Sequence, residues 1–250
     1  GWVDAYKQFV EGGWQSVTAP AEHGGMGLPQ VLLASCLSMW SSANMAFTLG
    51  PVLTFVGKLG GPAWGGLSLD EFTRRQAAYR DAEIAAMRDV PGFIRKGQEI
   101  YGYPHFVNDV GGSLCELDEP GVVELLAEHT LILYIQTTTR EEEDTLIKRA
   151  QSDPKPLYFR PAFLAEHLPL YLREKGLEFV AEAEPDDFAR WVFPRLFHSR
   201  IPRYEAIAKP HGYTVTSQEV AQVRDERDFL ALLETAIARK SEASGVRGEA

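Results

Sequence analysis

The chain has 250 residues, 45% of them hydrophobic and 24% charged, and a formal net charge of -10 at pH 7. This is the composition of a folded globular protein, and the negative charge argues against a general nucleic-acid partner. The longest apolar run, residues 131–135, is far shorter than the roughly 20 residues that cross a bilayer. This short run predicts no membrane partner. Because two cysteines are too few for a disulfide scaffold, we expect a cytoplasmic protein.

The first 55 residues predict a helix, a glycine-rich loop and a second helix. Residues 5–11 are helical by pattern, two glycines end them, and a loop rich in proline and glycine runs to Pro29. Residues 30–44 then carry apolar side chains at helical spacing. The chain starts at Gly1 inside this pattern rather than at a methionine, so we expect a shortened N-terminus.

The character of the chain changes near Phe55. Four of the five tryptophans lie in the first 64 residues, whereas most charged side chains follow them. We therefore predict a helical fragment over residues 1–55, an α/β region over residues 56–240 and a frayed tail over residues 241–250.

The α/β region begins with predicted helices. Ser68 is an N-cap with Glu71 as its capping-box partner, and the long polar helix that follows is predicted to end near Met87. Residues 91–101 predict a separate helix.

Strand and helix patterns alternate in the remainder. The predicted strands are residues 106–109, residues 131–135 as a buried strand, and residues 213–215. Predicted helices start at the acidic residues 141–143 and cover residues 161–175, 186–199 and 225–240, with a short helix capped by Thr216 and Glu219. This alternation predicts an α/β fold with a parallel sheet flanked by helices.

Asp109 is a candidate catalytic carboxylate, because phosphoryl-transfer sites place an acid at the end of a strand. The alternative is an aspartate that satisfies backbone amides in the following turn. Ser113 could cap the next helix with Glu116 in a capping box, and no Gly-x-Ser-x-Gly motif marks it as a nucleophile.

Arg195, Arg200 and Arg203, with His198 among them, form a basic cluster in an acidic chain. Arginine binds phosphate through two parallel hydrogen bonds, so a nucleotide or another phosphorylated small molecule is the predicted partner. Ion pairs with nearby acids are the alternative. The six histidines and two cysteines show no metal-ligand spacing, and no metal site is predicted.

A family resemblance within residues 6–54 rests on the motifs Gly13-Trp14, Pro20, Glu22-His23-Gly24-Gly25, Gly27-Leu28-Pro29 and Ser42-Ala43-Asn44 with Phe47. This stretch resembles the N-terminal helical domain of flavin-dependent acyl-CoA dehydrogenases, especially the branch acting on methylthio-propanoyl-type thioesters. The resemblance implies that Asn44 and Phe47 help to line an acyl pocket. In that family FAD and the catalytic glutamate belong to later domains, which do not follow here, so we expect no FAD binding.

A second resemblance, over residues 56–250, rests on the motifs Lys58-Leu59-Gly60-Gly61-Pro62, Tyr103-Pro104-His105-Phe106-Val107-Asn108-Asp109, Gly111-Gly112-Ser113-Leu114-Cys115-Glu116 and Arg200-Ile201-Pro202-Arg203-Tyr204. Residues 56–250 thereby resemble the C-terminal bulk of bacterial P-loop ATPases of nucleotide-kinase type, which implies ATP and Mg²⁺. A P-loop needs a lysine and a serine or threonine where this chain has Gly66 and Leu67. The expected fold is thus a P-loop-like remnant without its P-loop.

These observations favour a fusion or truncated chain without intact catalysis, whose main part is ATPase-like. One alternative is a fragment of an acyl-CoA dehydrogenase, defined by its first 54 residues. Another is a non-enzymatic interaction module, in which the helix over residues 225–240 docks a partner. The sequence does not predict an oligomeric state.

Overall fold

The computed structural model describes residues 56–110 and 114–243. Contacts divide the chain between Gly57 and Lys58, so nearly all described residues belong to the second of two units. The predicted helical fragment over residues 1–55, the acyl-pocket residues Asn44 and Phe47, and the cap residue Ser113 lie outside the described residues. The same holds for residues 244–250 of the predicted tail.

The described residues form seven α-helices and two β-strands. In chain order they are α1 (Leu69–Tyr101), α2 (Pro120–His129), β1 (Ile132–Gln136), α3 (Arg140–Ser152), α4 (Pro161–Lys175), α5 (Pro185–His211), β2 (Gly212–Thr216), α6 (Ser217–Ala221) and α7 (Glu226–Ala243). Short 3₁₀ turns lie at Pro62–Trp64, Leu114–Glu116 and Val180–Glu182. None of the helices in these ranges combines the length and the apolar character that crossing a bilayer requires.

Helix α1 begins as predicted and is longer than predicted. The Ser68 hydroxyl accepts a hydrogen bond from the Glu71 amide at 3.4 Å, which confirms the N-cap. The predicted capping box is not formed, because the Glu71 carboxylate bonds Arg74 and Arg75. The separate helices predicted on either side of Pro91 are one continuous helix. Pro91 costs this helix one backbone hydrogen bond, whereas the burial of Met87 and Val90 beside it favours continuation.

Helix α5 also continues past its predicted end at residue 199. It contains Pro194, Pro202 and Pro210, and it buries Leu196 and Ala208 along the same axis. It passes directly into β2, and β2 passes directly into α6, with no connecting residue at either junction.

The sheet has two strands within the described residues. Strands β1 and β2 are parallel, and their register pairs Ile132 with Gly212 and Gln136 with Thr216. Both strands and their parallel direction were predicted. The predicted full burial of β1 is wrong, because Ile135 is 51% exposed, whereas Val215 of β2 is completely buried.

Residues 106–109 do not form the predicted strand. The chain instead folds back on the end of α1, where the Tyr103 amide donates to the Gly97 carbonyl at 3.2 Å. Val107 is 80% exposed, so the apolar pattern of this segment does not reflect burial. The described part is therefore mostly helical with a small parallel sheet, which is consistent with an α/β class.

Two hydrophobic clusters form the core of the described part of the chain. The first contains Leu59, Phe72, Phe159, Phe163, Leu164, Leu168, Tyr171, Ala183, Phe188, Val192 and Leu196. The second contains Ile84, Met87, Val90, Leu114, Leu117, Val122, Val123 and Leu126, with Ile207 packed against it. Because α1 and α5 contribute side chains to both clusters, these two helices join them.

Candidate functional site: an arginine cluster around a buried glutamate

The glycine-rich segment of residues 59–67 closes on itself. The Gly60 amide donates to the Leu67 carbonyl at 3.0 Å, and the Leu67 amide donates to the Lys58 carbonyl at 2.8 Å. A Cβ on Gly66 would lie 2.5 Å from the Gly60 carbonyl carbon, so only glycine fits there. Since these amides are bonded to carbonyls of the same segment, they do not form the open cradle of a P-loop.

A single buried carboxylate organises the candidate site. Glu116 lies in the turn Leu114–Glu116 and its side chain is 0% exposed. One carboxylate oxygen accepts from Arg160 Nε at 3.0 Å, and the other accepts from Arg200 Nε at 3.0 Å. Arg200 also donates to the Tyr158 carbonyl at 3.1 Å. A buried charge needs such complete pairing, because its desolvation is costly.

Other arginines hold the residues on either side of Glu116. Arg203 donates to the Cys115 carbonyl at 2.8 Å and pairs with Asp118, a non-glycine residue with a φ of 48°. Arg80 donates to the Leu117 carbonyl at 2.8 Å.

Glu119 ends this acidic segment and pairs with two cations from α1. Arg88 lies 3.0 Å from its carboxylate and Arg80 lies 3.7 Å from it. We call Arg80, Arg88, Arg160, Arg200 and Arg203 the arginine cluster.

The arginine cluster has more positive than negative charge. Its five guanidinium groups pair with four carboxylates, those of Asp81, Glu116, Asp118 and Glu119. Asp81, 3.8 Å from Arg80, is 78% exposed, so its charge is strongly screened by solvent. The cluster therefore has one guanidinium more than carboxylates, in a chain of net charge -10.

The thiol and the phenol beside this cluster are unreactive at neutral pH. Cys115 is 3% exposed, and burial raises the pKa of its thiol. Burial also raises the pKa of Tyr204, which shares a hydrogen bond with that thiol. Since the thiolate is the nucleophilic form of cysteine, the geometry does not favour covalent chemistry at Cys115.

A cleft of about 280 Å³ opens beside the arginine cluster. Its wall is partly apolar, and Arg203, Asp118, Glu119, Glu124 and His211 supply the polar groups. Arg203 is thus the cluster member that reaches both the buried network and an open cavity. Its side chain is 28% exposed.

The structure divides the predicted arginine group. Arg200 and Arg203 lie in the cluster, whereas the Arg195 guanidinium stacks 3.6 Å above the Trp191 ring and donates to the Trp191 carbonyl. The ion pairs that the sequence left as an alternative are present at Arg200 and Arg203. His198, predicted beside them, lies 3.5 Å from Glu143 of α3.

Asp109 lies on the irregular segment between α1 and the turn Leu114–Glu116, and it is exposed. Its predicted catalytic role stays a prediction. The Glu116 carboxylate, which was predicted to complete a capping box, forms ion pairs with Arg160 and Arg200. Within residues 56–110 and 114–243, no group of three or more His, Cys, Asp and Glu side chains is placed to hold a metal ion.

Sequence analysis missed three members of the cluster, namely Arg80, Arg88 and Arg160. Arg80 and Arg88 lie two turns apart on α1, a spacing that places them on neighbouring sides of the helix. Nothing in the sequence relates the three to residues 116–119, because their contacts with Glu116, Leu117 and Glu119 join positions 31 to 44 residues apart. Only the packing of α1 and α5 around the turn Leu114–Glu116 brings these residues together.

Comparison with known proteins gives one short match. A curated relative, 3-methylmercaptopropionyl-CoA dehydrogenase of Ruegeria pomeroyi, is 56% identical over 54 residues, which is 22% of this chain and 9% of the relative. No family model and no solved structure matches the chain. The comparisons therefore support the acyl-CoA dehydrogenase resemblance of one segment, and they give no support to the ATPase resemblance of the larger part.

Proposed function

We propose that the described part of the chain binds the phosphate group of a small phosphorylated molecule, such as a nucleotide, at the arginine cluster. The observation that carries the proposal is the one guanidinium group in excess of the four carboxylates in this cluster. A bound phosphate would neutralise that surplus through charge-assisted hydrogen bonds.

The geometry assigns different tasks to different members of the cluster. Glu116 fixes Arg160 and Arg200 in one orientation, so that little side-chain entropy is lost when an anion binds. Arg203 is the member of the arginine cluster that lines the cleft, so a ligand there would contact Arg203 beside the carboxylates of Asp118, Glu119 and Glu124. A cleft of about 280 Å³ is at the small end for ligand pockets and suits a compact ligand or one end of a nucleotide.

The proposed activity is binding without phosphoryl transfer. ATP hydrolysis by a P-loop would require a lysine and a hydroxyl where Gly66 and Leu67 stand, together with free amides in the glycine-rich segment. The catalytic role of Asp109 is a separate prediction: an unchanged chain without ATPase activity would rule it out, and any activity found should be lost in Asp109→Asn.

Isothermal titration of the purified chain with ATP, ADP and inorganic phosphate tests the proposal. Arg203→Lys keeps the charge and removes the planar fork, so we expect about tenfold weaker binding or more. Arg195→Lys is the matched control on the same helix, and its affinity should equal that of the unchanged chain. Equal affinities for both variants, or no binding of any of the three anions, would rule out the arginine cluster as the site.

The second candidate function is the one named by the short match. The relative is a 3-methylmercaptopropionyl-CoA dehydrogenase, and an identity of 56% over 54 residues favours a shared origin for one segment. We propose that this segment, without the rest of such an enzyme, does not bind FAD. A purified protein with flavin absorbance, or binding of FAD in a fluorescence titration, would contradict this.

We further propose that the chain is a hybrid, joined near Phe55, of an acyl-CoA dehydrogenase-like segment and an α/β region. A tryptic peptide that crosses this position, identified by mass spectrometry in cell extract, would support a real junction. Sequencing reads that consistently break there would instead show that the two parts do not belong together.

A further inference from the structure

The C-terminal end of α1 and the segment after it carry an exposed apolar surface. Phe93, Ile100, Tyr101, Tyr103, Phe106 and Val107 are between 44% and 80% exposed. We call residues 93–107 the apolar arm. Exposed apolar side chains scattered singly are ordinary on a protein surface, whereas six within fifteen residues form a patch.

The apolar arm extends beyond the core that supports the rest of α1. Val90 is the last buried residue of this helix, and Arg95 to Tyr101 are exposed apart from Gly97. Phe106 Cδ2 lies 3.9 Å from the position that a Cβ atom on Gly97 would occupy, so the segment after α1 packs against the end of this helix. The rings of Tyr101 and Tyr103 are stacked at 5.3 Å between centroids. Ile94 also packs against the second hydrophobic cluster, and His105 lies 2.9 Å from Glu226, so the arm is held to the fold while its aromatic side chains are largely exposed.

We propose that the apolar arm is a self-association surface, through which two copies of this chain form a two-fold symmetric dimer. The size of the patch supports a second copy as its occupant. With about 200 Å² for a whole aromatic side chain, the exposed parts of the six residues amount to roughly 600 Å² on each copy. Two copies together would bury roughly 1,200 Å², at the lower end of specific interfaces.

Charge opposes a second copy less at the apolar arm than elsewhere on the surface. Each chain carries a net charge of -10, which opposes association over most of its surface. The apolar arm differs, because Arg95 and Lys96 outnumber its single acidic residue Glu99. Two copies can approach each other at this surface without bringing their acidic surfaces together. In a two-fold dimer each aromatic patch meets an identical patch, which satisfies both copies equally.

Sedimentation velocity over a wide range of concentration tests the proposal on the full chain. The unchanged protein should shift from monomer to dimer as concentration rises, with a modest affinity that fits the small area. The double variant Ile100→Lys and Tyr103→Lys adds like charges on both copies and should remain monomeric. Lysine near the end of a helix suits the helix dipole, so the fold should persist, and its circular dichroism spectrum checks this.

Phe179→Lys is the matched control, because Phe179 is 59% exposed and lies outside the apolar arm. This variant should dimerise like the unchanged chain. A monomer at every concentration would overturn the proposal, and so would a dimer that the arm variant leaves intact. Hydrogen exchange adds a second criterion: protection of residues 93–107 should rise with concentration, and protection independent of concentration would contradict a dimer at this surface.

Discussion

Glu116 determines how three parts of the chain meet around one side chain. Its carboxylate pairs with Arg160, which directly precedes α4, and with Arg200 of α5. Glu116 itself lies in the 3₁₀ turn before α2. The burial of such a group is unfavourable unless both oxygens are paired, and both are.

Glu116→Gln should destabilise the protein by about 3–5 kcal/mol, because it leaves Arg160 and Arg200 in a partly buried site without their negative partner. Urea denaturation followed by circular dichroism measures the loss. The control is Glu71→Gln, since Glu71 also pairs with two arginines, Arg74 and Arg75, at the surface. Because solvent screens an exposed ion pair, this variant should change stability far less than Glu116→Gln. Similar losses for the two variants would show that burial of Glu116 is not decisive.

The buried tyrosines predict a loss of stability at alkaline pH. Burial raises the pKa of Tyr158 to about 12 from an ordinary value of 10, and burial is also the main cause of the raised pKa of Tyr171. The folded protein therefore holds these protons more tightly than the unfolded chain. Their contribution is complete below pH 10 and is lost as the pH rises toward 12.

Tyrosinate absorbance, recorded with circular dichroism during an alkaline titration, measures this effect. Tyr158→Phe removes the titrating group and should make the loss of stability between pH 10 and pH 12 less steep. Ionisation of all tyrosines near pH 10 in a protein that remains folded would contradict the expectation.

At the scale of elements, the pairing of β1 with β2 depends on a glycine. A Cβ on Gly212 would lie 2.7 Å from the Ile132 carbonyl oxygen across the sheet, although the φ of -134° suits any residue. Gly212→Ala should therefore cost about 1–3 kcal/mol through steric overlap alone.

Gly121→Ala is the matched control for that variant. Nothing lies within 4 Å of the Cβ that it would add in α2, and alanine is the better helix former. Thermal unfolding should thus show a lower Tm for Gly212→Ala and an equal or higher Tm for Gly121→Ala. Equal Tm values for the two variants would mean that the strands separate to accommodate the added methyl group.

The sequence predicts elements well where local chemistry determines them. The cap of α1, the start and end of α4, and the capping box of α6 were all predicted, since each depends on residues within one turn of each other. Proline was misleading inside α1 and α5, because burial on either side of it outweighs one lost hydrogen bond. The strand predicted over residues 106–109 failed because an apolar pattern does not reveal whether a partner strand exists.

For the candidate site, sequence analysis found Arg200 and Arg203 because they are neighbours on one helix. It could not find their partners, since Glu116 and Arg160 lie far away in sequence. It also grouped Arg195 with them, whereas Arg195 stacks on Trp191, four residues earlier on the same helix. A spacing of four residues does not by itself show which partner a side chain has. Contacts over long sequence separations require the fold itself.

At the scale of the whole molecule, α1 and α5 should make the two hydrophobic clusters unfold together. Leu196 is 1% exposed in the first cluster, and Leu196→Ala should cost about 2–5 kcal/mol. If the clusters are coupled, hydrogen exchange of the Leu126 amide in the second cluster should speed up by the equivalent factor. Unchanged exchange at Leu126, with faster exchange confined to the first cluster, would show that the clusters open separately.

The direct passage from α5 into β2 and then into α6 limits how this protein can change in length during evolution. With no connecting residue at either junction, one inserted or deleted residue near His211 would shift the strand register and turn Val215 from the core toward solvent. A substitution in this stretch changes one side chain, whereas a change of length displaces every residue of the strand. Length differences among homologues should accumulate instead in irregular segments such as residues 102–110 and 153–160.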